Sequence, residues 1–303
     1  MVADAVGEQD IRGIDHTMFV TGFADEDSLL KGLVTVKPAK DREIRWFQKT
    51  AGFLDSVDTT GVTVSQIFNV PERALPTIIG PTWTQNTSRV KKFMVDSELI
   101  SEEDLLDNDV DAMATTLRDL IRAVANQVDI QIYATLIEAA AATPTTPAPS
   151  NTLTTVATDD GWDDLVTGDP IKDILVGNRK IRAQSYDTNK IVLYINPVEH
   201  ELLMVYLISV KGSSIPAFSS QAVVKGQVME ILGNRVIVSQ NATTDGALQF
   251  VEGRSAEWRT FTPLTSHILD FPGLGKKVRV LERGVGLLTN PKSVHQITDT
   301  LIA

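Results

Sequence analysis

The stretch that most suggests chemistry is PVEHELLMVY, residues 197–206. Two imidazoles at i and i+4 of a helix share a face and can grip one zinc, with the Glu between them as general base. Here the chain reads His200, Glu201, Leu202, Leu203, Met204, so a thioether stands where the second imidazole is needed. A thioether is a poor zinc ligand beside nitrogen donors. The remaining histidines, His16, His267 and His295, carry no ligand-like spacing. The stretch reads as an apolar helix with one polar stripe, and no metal is expected there.

Other fragments of active-site grammar each lack a required part. Ser88-Arg89-Val90-Lys91 has the SxxK spacing, but the companion Ser-Asp-Asn and Lys-Thr-Gly elements are missing and the segment is strand-like. Asp107, Asn108, Asp109 and Asp111 resemble the start of a calcium loop. Ala112 then stands where the sharp turn needs Gly, and Arg118 where the bidentate Glu belongs, so acidic helix capping is the better reading. There is no Walker A loop, no GxSxG and no GxGxxG. Asn86-Thr87-Ser88 and Asn241-Ala242-Thr243 match the glycosylation sequon, but the first twenty residues lack the pattern of a secretory signal. No catalytic, cofactor-binding or metal-binding residue is assigned. Acid–base residues are plentiful without converging, which makes an enzyme the least favoured class.

The composition narrows the classes further. A chain of 303 residues can hold two domains or one elaborate one, and 43% hydrophobic with 22% charged residues is ordinary for a folded protein. Cysteine is absent, which excludes disulfides, thiol nucleophiles and thiolate metal sites. The most apolar run, residues 202–210, is too short to span a bilayer, so a soluble protein without a membrane partner is expected. A net charge of −11 argues against primary nucleic-acid recognition. It leaves room for a protein that surrounds nucleic acid without gripping it.

Stepping along the chain, residues 1–58 show weak apolar periodicity, with a basic patch of Lys37, Lys40, Arg42, Arg45 and Lys49 around Trp46 and Phe47. So long an unpatterned stretch predicts an extended arm lying on a partner. GVTVSQIFNV at 61–70 and SRVKKFMVD at 88–96 alternate like strands of one long hairpin, with Pro71, Pro76, Gly80 and Pro81 between them. Arg89, Lys91 and Lys92 at its base, followed by Glu98, Glu102, Glu103 and Asp104, suggest charge complementarity between neighbouring subunits. SELISEED supplies acidic capping residues. Val110, Met113, Leu117, Leu120, Ile121, Val124, Val128, Ile132 and Leu136 then keep helical spacing, predicting a helix of about 30 residues, roughly 45 Å long. The Pro/Thr tract at 143–155 ends it as an exposed connector. Beyond 160, Asp169-Pro170 and Asn196-Pro197 each read as N-cap and first helical residue, with a strand at 190–196 between the two helices. VMEILGNRVIVSQ predicts a hairpin turning at Gly233-Asn234, ALQFVEG and EWRTFTPL two more strands, and residues 276–291 two strands separated by Arg283-Gly284.

This order of parts resembles the HK97-fold major capsid protein of tailed phages. Three stretches carry the likeness: FMVDSELISEEDLLDNDVDAMATTLRDLIRAVANQVDIQIYATL at 93–136, KIVLYINPVEHELLMVYL with the later VMEILGNRVIVSQNAT, and RVLERGVGLLTNPKSVHQIT near the end. The resemblance covers roughly residues 60–303. It implies an α+β fold with an N-terminal arm over 1–58, an extended E-loop hairpin over 59–97 and a P-domain spine helix and connector over 98–159. An A-domain of mixed sheet and helices follows over 160–270, with a return to the P-domain over 271–303. By the same likeness, His200 and Glu201 lie on the wetter face of the helix after the central A-domain strand, with no metal.

The implied role is a structural subunit that self-assembles, as hexamers and pentamers, into the icosahedral shell around a double-stranded DNA genome. The subunit is then located in the virion and assembled in the host cytoplasm. Scaffold, portal and decoration proteins are further partners the likeness admits, with packaged DNA contacted non-specifically. Some relatives cross-link an E-loop Lys to a neighbour's Asn. Here the hairpin tip carries Arg73 and no Lys, so no cross-link is expected. An encapsulin-type cellular cage is the alternative, disfavoured by the long N-terminal stretch. A tail or decoration protein is disfavoured by the long helix.

Overall fold

The computed structural model describes residues 29–51, 72, 82–102, 112–137, 154–158, 160–184, 186–209 and 230–301. A short helix, α1 (Leu29–Leu33), and a 26-residue helix, α2 (Ala112–Ile137), pack against two sheets. At 1.5 Å per residue α2 is about 39 Å long. Its apolar stripe serves two surfaces in succession. Met113, Leu117, Leu120, Ile121 and Val124 pack with Phe93, Val95, Val278 and Val280. Val128, Ile132, Tyr133 and Leu136 join Tyr194, Phe250 and Trp258. One helix therefore ties both sheets together, as a spine does.

The first sheet has the order β1 (Thr35–Pro38), β11 (Glu257–Phe271), β12 (Gly275–Leu287), β4 (Lys91–Asp96), and β5 (Ile100–Ser101) also pairs with β12. Only the β1–β11 pairing is parallel. The second sheet runs β6 (Thr154–Ala157), β13 (Val294–Thr298), β10 (Gly246–Val251), β7 (Ile191–Ile195), β9 (Asn234–Val238), β8 (Glu230–Ile231). Every residue of β7 is buried, as expected for a central strand covered on both faces. Val192 and Tyr194 face the α2 side, whereas Leu193 and Ile195 face α3 (Pro170–Ala183) and α4 (Pro197–Ser209) through Ile174, Leu203 and Leu207. A third, two-stranded sheet pairs β2 (Glu43–Ala51) with β3 (Thr82–Arg89).

The local signals for α3 and α4 hold. The Asp169 carboxylate accepts from the Lys172 N–H, with Pro170 in the first turn. Asn196 Oδ1 accepts from the Val198 N–H at 3.1 Å while its Nδ2 donates to the Ala242 carbonyl at 2.9 Å. The α2 helix and the strands at 246–251 and 257–271 also stand where the pattern put them.

Other expectations change. Residues 276–291 hold one continuous strand, β12, through Arg283 and Gly284, because Gly284 makes room for an indole rather than a turn. The 230–238 hairpin turns at Leu232 and Gly233, one residue earlier than expected. Both have positive φ, as the two-residue primed turn requires. The segment 97–101 runs along β12 instead of opening α2: the Ser97 N–H donates to the Val278 carbonyl, and Ser97 Oγ accepts from the Val278 N–H. Part of the stretch read as an arm is built into the body. Leu30, Leu33 and Val34 are buried in the core, and β1 adds to the first sheet. Five helical residues are too few for periodicity to reveal α1.

The partner of β3 is β2, from within that same stretch, whereas the expected partner at 61–70 lies outside the described residues. Residues 73–81 of the hairpin tip, 143–153 of the Pro/Thr tract and 211–220 lie outside them too, whereas Thr154 and Thr155 begin β6. Sheet membership does not follow the expected boundary at 160–270: β6 and β13 complete the second sheet from outside it, and β11 inside it belongs to the first. No helix among the described residues is long and apolar enough to cross a membrane.

Candidate assembly surfaces

The residues first considered for chemistry are scattered. On α4, Glu201 is exposed, while His200 and Met204 are partly buried. Burial pushes the His200 imidazole below its ordinary pKa. Among the described residues no group of three or more His, Asp or Glu is placed to hold a metal ion. Ser88 Oγ accepts from Trp46 Nε1 at 3.0 Å, whereas Lys91 Nζ donates to Gln131 Oε1 of α2 at 2.8 Å, so the SxxK pair is divided between two separate contacts. Arg118 is in α2, and the acidic cluster at 107–111 lies outside the described residues, as do His16 and Arg73. Of the sequon residues, Asn86 is buried, and Asn241 Nδ2 donates to Asn126 Oδ1 at 2.6 Å.

Sequence reasoning missed three buried carboxylates that position the elements. Asp129, on the buried side of α2, accepts from the N–H groups of Leu30 and Lys31 at 3.2 Å each, capping α1. Glu282 of β12 is 1% exposed, and its Oε1 accepts from Lys31 Nζ at 2.6 Å and from Trp258 Nε1 at 3.2 Å. Glu199 of α4 is fully buried and accepts from the Asp245 N–H at 2.6 Å. The sequence did hold a signal for Glu282: it shares the parity of Val278 and Val280, the core face of β12.

The outward features suit a protein that meets copies of itself. The β2–β3 ribbon joins neither large sheet, and Phe47 on it is 63% exposed. The far end of the β11–β12 ribbon exposes Ile268, Phe271 and Leu274. At the near end of β4, Lys91 and Lys92 stand with Arg42 and Arg283 around a hollow. Further along, Arg279 makes a bidentate pair with Asp96, Nε to Oδ1 and Nη2 to Oδ2, both 2.6 Å. That guanidinium holds the Asp96 carboxyl below the usual carboxylate range.

Comparison with known proteins agrees with this architecture. Residues 85–289, more than half the chain, match a family model described as phage capsid protein. No curated protein sequence matches the chain. Among solved structures, the capsid of the cyanophage P-SCSP1u superposes with a TM-score of 0.64 at 12% identity, covering 89% of this chain and 88% of that one. The mature capsid of bacteriophage PhiM1 gives 0.62 at 13% identity over 91% and 88%. A virus-like particle from Pyrococcus furiosus gives 0.59 at 11% identity over 92% and 95%. Likeness at such identities shows the fold, and the family match carries the membership. The chain belongs to the phage capsid protein family and is an HK97-like major capsid subunit.

Proposed function

We propose that this subunit closes, as hexamers and pentamers, into an icosahedral shell around the double-stranded DNA genome of a tailed phage, assembled in the host cytoplasm. In this reading the β2–β3 ribbon is the root of an E-loop laid across a neighbour. The first sheet and α2 form the P-domain, and the second sheet with α3 and α4 forms the A-domain around the symmetry axes. The observation that carries it is the ribbon. Among the described residues the ribbon pairs with no third strand, and a two-stranded ribbon is marginal alone in water and needs a surface to lie on, which closed symmetric assembly supplies. Scaffold, portal and decoration proteins are the further partners of such a shell.

The test is nuclease treatment of native particles. DNA protected inside intact particles, together with a cross-link from a cysteine placed at Phe47 to a second copy, is the expected result. Particles that never enclose DNA favour a cellular cage. A ribbon that cross-links only within its own chain removes the E-loop role.

A further inference from the structure

The base of the hairpin holds four cations around one hollow. Arg42, Lys91, Lys92 and Arg283, with Val90 and Phe261, line a cavity of ≈ 220 Å³. Lys92 and Arg283 are direct register partners on the antiparallel strands β4 and β12. Like charges in that position destabilise a sheet. The same two strands solve the problem at their other end, where Asp96 opposes Arg279 and pairs with it.

The site is assembled from several elements. The β11–β12 register shifts between Thr260 and Thr262, so Phe261 is the extra residue of a bulge, a device that re-aims side chains. Arg42 is held there by the Val90 N–H, which donates to its carbonyl at 2.9 Å. Arg283 Nε is buried without a hydrogen-bond partner, a costly state for a charged donor. Among the described residues no carboxylate pairs with Arg42, Lys92 or Arg283.

The same edge carries the opposite sign further along. Glu98 and Glu102 are exposed, form no ion pair among the described residues, and begin an acidic run that continues in the sequence with Glu103 and Asp104. The β12 cations at that end are engaged elsewhere, Lys276 with Asp270 and Lys277 over the Phe271 ring. Lys92 and Glu98 lie on a chain that pairs with β12 from Lys91 to Asp96 and again at Ile100 and Ser101. Six extended residues put them roughly 20 Å apart. The two signs cannot neutralise each other within one copy. They can between copies laid head to tail, the heterologous contact that closes into rings.

We infer that the hairpin-base cavity is a carboxylate site for a second copy of this chain, with Glu98 and Glu102 as the groups that enter it. The inference rests on the shell reading above. A peptide carboxylate fits better than a nucleic-acid phosphate, because the matching acid is present on the same chain and the net charge of −11 repels polyanions at long range.

The experiment uses the full chain under conditions where the wild type forms particles. One variant carries Arg42→Glu with Lys92→Glu, a second carries Glu98→Lys with Glu102→Lys, and a third carries all four. All four side chains are exposed, and circular dichroism checks that each variant folds. Each double variant is expected to lose particles at least tenfold by sedimentation, with the four-site variant regaining them. Normal particle yield from either double variant, or no recovery in the folded four-site variant, overturns the inference. So does a cation-reversed variant that assembles normally but loses nuclease-protected DNA, which assigns the cavity to phosphate. A wild type that forms no particles with any co-expressed partner overturns the shell reading itself and takes this inference with it.

Discussion

A Cβ placed on Gly284 would lie 2.4 Å from Cζ2 of Trp258: the indole of β11 rests against bare backbone of β12. Trp258 is fully buried and tilts against Phe93 with ring centroids 6.3 Å apart, so it has nowhere to retreat. Gly284→Ala is therefore expected to destabilise the subunit by about 1–3 kcal/mol through overpacking. Chemical denaturation measures it, and an unchanged midpoint contradicts the close approach.

Glu282 gathers Lys31 and the Trp258 indole on one buried oxygen. Removing it strands a donor and a cation together. Glu282→Ala is expected to cost about 3 kcal/mol, and Lys31→Ala, which leaves the 1%-exposed carboxylate without its cation, a comparable amount. A double variant that costs as much as the two single losses summed would show that the pair is not the unit that matters.

Asp129 caps α1 from the middle of α2. Asp129→Ala is expected to release that cap at about 1–2 kcal/mol. Amide hydrogen exchange at Leu30 and Lys31 should rise selectively, well above the change in β7. Uniform acceleration across the chain would mean that the carboxylate supports the whole core instead.

Acid should loosen the β4–β12 junction. The hydrogen bond from Arg279 depresses the folded pKa of Asp96 below its ordinary 3.8. The pair's contribution is then fully present above that value and fades as pH falls through the lower folded one. Wild type should exceed Asp96→Asn in stability near neutrality, with the gap closing as pH falls below 3.8. A gap that persists undiminished in acid, measured by urea denaturation across pH, contradicts the assignment.

Much of the fold was legible because its signals are local. Asp169-Pro170 and Asn196-Pro197 announce helices through their own caps, and the spacing from Met113 to Leu136 announces the spine. What the sequence hid depends on distant partners. Arg283-Gly284 looks like a turn until Trp258 is placed against it. Glu43–Ala51 shows the alternation of Ile44 and Trp46, yet its pairing spans some forty residues and no local feature names Thr82–Arg89 as the partner. The candidate surface was legible only as charge: Arg89, Lys91 and Lys92 were visible as a basic base, while Arg42 and Arg283 join the hollow through a loop hydrogen bond and a sheet register.

The most direct test of the central claim is electron microscopy of the full chain, expressed alone and with the proteins encoded beside it. Closed shells or capsomer rings are the expected result. A folded chain that stays monomeric at high concentration with every such partner would contradict a shell subunit.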